Sequence, residues 1–350
     1  MSGSRPPLAR DLDAEALEAL ALELGARPFQ ARSLATWVLG RGLRAWDRAT
    51  DLPKALREAL AGRLELRAGE VVERSRSADG TTKCLLALRD GETVEMVLIP
   101  EGERTTLCLS TQVGCPVACV FCASGLDGVR RNLTAAEIVE QFLLAREELG
   151  ERPLTNLVAM GLGEPMLNLE ALERAMAMVS EPEGLGFSPR RITISTSGHP
   201  DRVRRFAGRA RPYNLAISLH AADADLRRRL VPTATASPRE LVEAALHWFA
   251  ATGREPTFEV VLLADENDAP AHARALVALL DGIQATVNLI PWNPVEGTPL
   301  PLATPAPDRV EAFRAILAAA GLKVTVRRRR GTDRDAACGQ LRLRRLEGRG

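Results

Sequence analysis

Downstream of residue 106, short apolar runs of strand length alternate with helix-length amphipathic segments, and that rhythm excludes most folds at the outset. The strand runs fall at 106–110, 156–160, 191–194, 215–219, 257–262 and 286–290. Helical patterns between them include 134–149, 169–179, 239–250 and 272–280. Thr134, followed three residues later by Glu137, predicts a capping box at the start of the first helix. A further unit, helix 307–320 and strand 323–327, closes the series. Strands joined by crossover helices run parallel, so the sheet is either doubly wound and open, or a complete or partial barrel. No Gly-x-Gly-x-x-Gly follows the first strand, which counts against a dinucleotide fold.

The chain ahead of this series reads differently. Residues 11–66 show helical patterns broken at Gly25, at Gly40 and Gly42, and restarted at Pro28 and Pro53. Between 69 and 99 the period changes to that of strands, with runs at 84–88 and 93–99 around an Asp90-Gly91 turn. The expected organisation is a helical domain over 1–68, linking strands over 69–100, an α/β core over 101–341 and a basic tail over 342–350. The last 24 residues hold nine Arg against three acids, a pattern as fitting for a solvated tail as for a phosphate-contacting patch. The start lacks the apolar stretch of a signal peptide and no apolar run is of membrane-spanning length, which predicts a cytoplasmic protein without a membrane partner.

In that setting cysteines more often serve metals or redox catalysis than structural disulfides. Three of the six fall within one loop, Cys115, Cys119 and Cys122, at C-x3-C-x2-C spacing. Such a triad suits three irons of a [4Fe–4S] cluster, leaving the fourth iron open for chemistry. Structural zinc and incidental buried thiols are the competing readings. Zinc usually takes four ligands, and none of the chain's four histidines is near.

The other distinctive polar residues cluster just past the strands' C-terminal ends, where α/β barrels place their sites. They are Gly161-Leu162-Gly163-Glu164-Pro165, Ser195-Thr196-Ser197-Gly198, Ser218-Leu219-His220 and Asn288 through Pro291-Trp292-Asn293-Pro294. Singly, each reads as turn chemistry. Their recurrence at one end of successive strands reads as a ligand site, glycines admitting close backbone approach and Ser, His and Asn offering neutral hydrogen bonds.

C-x3-C-x2-C after a first strand and a Gly-Glu loop after the second resemble the radical S-adenosylmethionine enzymes. The resemblance narrows to the RlmN/Cfr-type RNA adenine methyltransferases. It is carried by Thr106-Leu107-Cys108-Leu109-Ser110-Thr111-Gln112-Val113-Gly114-Cys115, Arg131-Asn132-Leu133-Thr134, Gly163-Glu164-Pro165-Met166-Leu167-Asn168, Ser218-Leu219-His220-Ala221, the Asn288–Pro294 stretch and Ala336-Ala337-Cys338-Gly339-Gln340-Leu341. It extends from the Pro28-Phe29-Gln30-Ala31 helix almost to the C-terminus. The fold this implies is an incomplete parallel (β/α)6 TIM-like barrel with a small N-terminal helical domain and a linking β-hairpin.

The resemblance also implies a chemistry. Adenine C2 is an electron-poor carbon that does not attack a sulfonium methyl, whereas a thiolate does. The implied route methylates a cysteine, turns that methyl into a radical through a second S-adenosylmethionine, adds it to C2 and releases product by disulfide formation. Cys338 matches the methyl carrier, Cys108 the resolving cysteine and Glu95 the proton acceptor. Gly163, Glu164, Ser195, Ser218, Leu219, His220 and Asn293 match the S-adenosylmethionine contacts, Leu219 and His220 partly through backbone. Without the resemblance, Cys108 reads as a buried strand residue and Glu95 as a strand's surface charge. Cys84 has no role in the scheme and reads as core.

The implied substrates are 23S ribosomal RNA and the transfer RNA anticodon loop. A flavodoxin-like reductase is the implied electron donor, and the chain is expected to be a monomer. Methylation at adenine C8, as in Cfr-type relatives, is the alternative; Pro165 favours C2. A non-catalytic iron–sulfur or zinc RNA-binding protein is the remote one. Family patterns are departed from at Ala222-Asp223-Ala224-Asp225, at Ala234 and at Arg334, which bears on RNA contacts rather than on the cysteines.

Overall fold

The structure is a computed structural model that describes residues 5–209, 211–295 and 297–327. Cys338, Arg334 and the basic tail lie outside the described residues. The N-terminal helices are α1 (Ala14–Glu23), α2 (Pro28–Ala35) and α3 (Lys54–Arg63). Asp13 caps α1 by accepting from the Ala16 amide at 2.8 Å. Leu17, Leu34, Val38, Leu56 and Leu60 meet in a small core of their own.

Three antiparallel strands follow: β1 (Gly69–Arg76), β2 (Thr82–Leu88) and β3 (Thr93–Glu101). They lead into β4 (Arg104–Cys108), from which the sheet turns parallel. Between β4 and the first crossover helix lies a two-stranded ribbon, β5 (Gln112–Gly114) and β6 (Val129–Asn132), which carries the cysteine loop between its strands. The series continues through α4 (Ala135–Leu149), β7 (Asn156–Ala159), α5 (Leu169–Ser180), β8 (Ile192–Thr196), α6 (Pro200–Ala207) and β9 (Asn214–Ser218). It ends with α7 (Ala224–Leu230), α8 (Pro238–Thr252), β10 (Thr257–Leu262), α9 (Pro270–Leu279), β11 (Thr286–Pro291), α10 (Pro307–Ala319) and β12 (Lys323–Val326).

The ten-stranded sheet runs β1-β2-β3-β4-β7-β8-β9-β10-β11-β12, and its two ends do not pair among the described residues. It is therefore the expected incomplete barrel, with the antiparallel strands extending one edge. The capping box at α4 forms, the Thr134 amide donating to Glu137 at 2.9 Å. The β5/β6 ribbon and helices α6 and α7 escape the sequence reading because three to eight residues give too few turns or alternations to show a period.

A buried ion network joins the N-terminal helices to the barrel. The Glu140 carboxylate on α4 meets Arg44 at 2.8 Å and Arg10 at 3.6 Å, with Arg10 and Glu140 both essentially inaccessible. Arg10 also donates to the Leu66 carbonyl at 2.5 Å. Such buried charges are tolerable only when mutually paired and hydrogen-bonded, so the network holds one relative position of the two parts. Among the described residues no helix is long and apolar enough to cross a membrane.

Candidate functional site

A cavity of about 210 Å³ opens at the C-terminal ends of the parallel strands. Cys115, Cys119 and Cys122 line it, as do Gly163, Glu164, Ser195, Ser218 and His220. The topology gathers these residues from chain segments over a hundred residues apart.

The cysteine loop is held before any ligand arrives. The Cys115 amide donates to the Gly128 carbonyl at 2.9 Å and the Val120 amide to Leu230 at 3.1 Å. Thr233 Oγ1 donates to the Val117 carbonyl at 2.6 Å, and Trp292 Nε1 to Phe121 at 2.8 Å. Val117, Val120, Phe121, Leu230, Val231 and Trp292 form a separate apolar cluster against which all three cysteines pack. Ala118 sits at φ +52°, a strained conformation for a residue with a Cβ. Burial pushes the Cys115 thiol up to about 12, and it raises Cys119 well above the ordinary thiol range, with the neighbouring cysteines adding to both shifts. A thiol shifted in this way binds a metal only by giving up its proton, so ligation at these positions would release protons.

Among the described residues no three His, Cys, Asp or Glu side chains converge as the ligands of a single ion do. Three thiols facing one cavity suit a cluster, whose irons each take one protein sulfur.

In the same cavity the Glu164 carboxylate is fully engaged on its protein side. Its Oε2 accepts from the Ser197 amide and hydroxyl, each at 2.7 Å, and its Oε1 from the Met166 amide at 3.0 Å. The Glu164 amide donates to Gln112 Oε1 at 2.7 Å, which gives Gln112 a place in the site. Gly163 is at φ +107°, and a Cβ there would come within 2.7 Å of the Gln112 amide nitrogen. Among the described residues Ser124 Oγ, on the cavity wall, is buried without a hydrogen-bond partner, as is Asn293 Oδ1, although Asn293 does not itself line the cavity. Such orphaned acceptors and donors fit a polar ligand with amino, carboxylate and hydroxyl groups.

His220 is buried at φ +62°, with its Nδ1 accepting from the Val261 amide at 3.2 Å and its ring edge-on to Phe121. The neutral ring then carries its proton on Nε2. Burial, with the Arg227 charge acting in the same direction, pushes His220 down to about 3 from its ordinary 6.5. Between those values the unfolded chain binds a proton that the folded chain refuses, so the full stability is present above pH 6.5 and falls on acidification. The loss is up to about 1.4 kcal/mol per pH unit. Asparagine tolerates the left-handed backbone. The fall in Tm between pH 7.5 and pH 5.5 should therefore be smaller in His220→Asn than in the parent; equal falls would show that His220 is not the group responsible.

Leu219 is drawn into the main core, its amide donating to the Glu259 carbonyl at 3.0 Å and its carbonyl accepting from Arg227 at 2.7 Å. It does not line the cavity. Glu95 and Cys108 do not line it either; the sheet register puts them on the adjoining barrel lumen. Val97 pairs with Cys108, and Ile99 with Thr106, across β3 and β4. Ile99 and Thr106 line a lumen cavity of about 690 Å³, and residues two apart on a strand share a face. Glu95 and Cys108, both 3% exposed, thus face the lumen. That lumen shares Met160, Glu259 and Arg327 with the cysteine cavity.

Residues 109–276 match the radical SAM superfamily, and residues 9–66 match the ribosomal RNA large subunit methyltransferase N-terminal domain. The dual-specificity RNA methyltransferase RlmN of Syntrophobacter fumaroxidans is 45% identical over 96% of this chain and 98% of its own length. The chain belongs to the RlmN family of radical SAM RNA methyltransferases. A probable dual-specificity RNA methyltransferase RlmN of Thermus thermophilus is 44% identical over 94% of the chain and 93% of that protein. The crystal structure of a radical SAM methyltransferase from Sphaerobacter thermophilus superposes with a TM-score of 0.89. It is 43% identical and covers 96% of this chain and 99% of that one. The chain is thus an enzyme that methylates RNA, and its superfamily uses S-adenosylmethionine with a [4Fe–4S] cluster.

Residue reading alone did not find Gln112, Arg227 or Glu259. Glu259 has a visible signal, a lone acid within the apolar strand Phe258-Glu259-Val260-Val261. Arg227, in Leu226-Arg227-Arg228-Arg229, has none: the two arginines that follow it are ordinary surface charges.

Proposed function

We propose that this enzyme methylates C2 of adenine in 23S ribosomal RNA and in the anticodon loop of transfer RNA. Cys115, Cys119 and Cys122 hold the cluster, and Gly163, Glu164, Ser195, Ser218, His220 and Asn293 bind S-adenosylmethionine. When bound, these groups supply a transferable methyl and a carbon radical. The Cys338 thiolate takes the methyl, Glu95 accepts the ring proton, and Cys108 attacks the Cys338 sulfur to free the methylated base. One observation carries the reading: the cysteine cavity and the lumen face bearing Cys108 and Glu95 share a wall.

The N-terminal helices and the basic C-terminal residues are assigned to RNA contacts, since an adenine presented to this cavity must leave its stack. A flavodoxin-like protein supplies electrons to a cytoplasmic monomer. Pro165, which opens the short helix after Glu164, supports C2 over C8. Mass spectrometry of ribosomal and transfer RNA from a deletion strain tests the choice. 2-Methyladenine should vanish from both pools and return with the gene; unchanged 2-methyladenine, or loss of 8-methyladenine instead, rejects it.

A further inference from the structure

Arg227 is a buried cation without an anion. It is 1% exposed, and among the described residues no carboxylate pairs with it. Its Nη1 donates to the carbonyls of Ser218 at 2.9 Å and Leu219 at 2.7 Å, its Nη2 donates to the Ser197 carbonyl, and its Nε has no partner. Carbonyl dipoles solvate a guanidinium but do not neutralise it, and an unpaired buried charge costs several kcal/mol. Burial lowers Arg227 to about 10, which leaves it charged at neutral pH.

Ser197 and Ser218, whose carbonyls it holds, line the cavity together with Cys119, and Cys119 becomes the anion acting on Arg227 once ligation removes its proton. The attachment is structural as well as electrostatic. Leu230, one turn further along α7, accepts from the Val120 amide inside the cysteine loop and packs against it, so the helix carrying Arg227 is tied to that loop.

We propose that Arg227 is the built-in counter-cation of the iron–sulfur centre, a positioning residue whose fixed charge favours the cluster's reduced state. The inference rests on the reading that Cys115, Cys119 and Cys122 ligate that cluster. Reduction adds one electron from an external low-potential donor and moves no proton, so the thiolate-bound assembly becomes more negative by one charge. A cation held in the same low-dielectric wall stabilises that product more than the oxidised form. The same side chain fixes the carbonyls of Ser197, Ser218 and Leu219, so its hydrogen bonding and its charge must be separated by experiment.

EPR-monitored redox titration of the anaerobically reconstituted full-length enzyme does this with Arg227→Gln, Arg227→Met and Arg227→Lys. The neutral variants should disfavour reduction at least about tenfold, which for one electron is about 59 mV. Arg227→Lys, which keeps the charge but not the fork of donors, should stay within about threefold of the parent. Neutral variants with full iron content and a parental potential overturn the proposal, as does a lysine variant shifted as far as methionine. Should the neutral variants not fold, the lysine variant decides alone: a parental potential supports the charge, and a tenfold shift rejects it. A parent that takes up no reducible cluster overturns the ligation reading together with this one, whereas a loaded cluster with unresponsive potentials overturns only this one.

Discussion

Replacing Cys108 with alanine should stop the enzyme after one event and leave it covalently joined to its RNA. In the proposed sequence the Cys338 sulfur carries the carbon that has joined adenine C2, and only attack by a second thiolate cleaves that carbon–sulfur bond. Cys108 is suited to the attack by its place on the lumen face, opposite Val97 on β3 and Val158 on β7. Multiple-turnover methylation should fall by on the order of a thousandfold or more, the scale seen when a covalent catalyst is removed. A protein–RNA band stable in denaturing gels should appear in step, and should disappear when Cys338 is also changed. A Cys108→Ala enzyme that still turns over, or one that stalls without an adduct, would contradict the role given to this residue. A non-catalytic RNA-binding protein predicts neither effect.

Gly114→Ala should empty the proposed cluster site without changing any of its three cysteines. Gly114 ends β5 at φ +80°, and a Cβ built there would lie 1.9 Å from the Gly128 carbonyl oxygen. That oxygen is the acceptor for the Cys115 amide. Backbone meets backbone here, so no side chain can swing away. The left-handed conformation alone costs alanine about 1–2 kcal/mol, already close to a tenfold shift in equilibrium. Displacing Gly128 also releases the first cysteine from its tether. Iron and sulfide per chain should fall at least about tenfold, with far-ultraviolet circular dichroism unchanged because the ribbon lies outside the main sheet. Full iron content in Gly114→Ala would show that the ribbon is not what holds the loop.

Much of this site was legible before any coordinates. The C-x3-C-x2-C loop, the Gly163-Glu164 turn, Ser195, Ser218 and His220 are chemically distinctive residues at the ends of apolar runs, and the cavity wall contains all of them. Leu219 was less tractable. Its neighbours line the cavity while its own side chain turns into the core, a one-residue alternation that a motif does not display. Glu95 and Cys108 became meaningful through resemblance, because a single acid or thiol in a strand carries no period. Asp223 shows a departure from the family pattern keeping a local role, since its carboxylate caps α7 through the Leu226 amide at 2.7 Å.

By itself, the sequence determined the kind of chemistry and the architecture that presents it. Three thiols within eight residues, in a chain of alternating strands and helices, pointed to an iron–sulfur cluster with an open iron over structural zinc, and the family resemblance supplied what that iron is for. Local information sufficed because periodicity and ligand spacing are properties of neighbours along the chain. Only the tertiary structure decided what surrounds those thiols. Arg227 lies over a hundred residues from Cys119 in sequence, just ahead of two arginines that face solvent. Packing α7 against the cysteine loop removes water from that one guanidinium and, among the described residues, leaves it without a carboxylate. Burial and electrostatic pairing depend on distances through space, and those exist only once the fold has gathered the strand ends around the site.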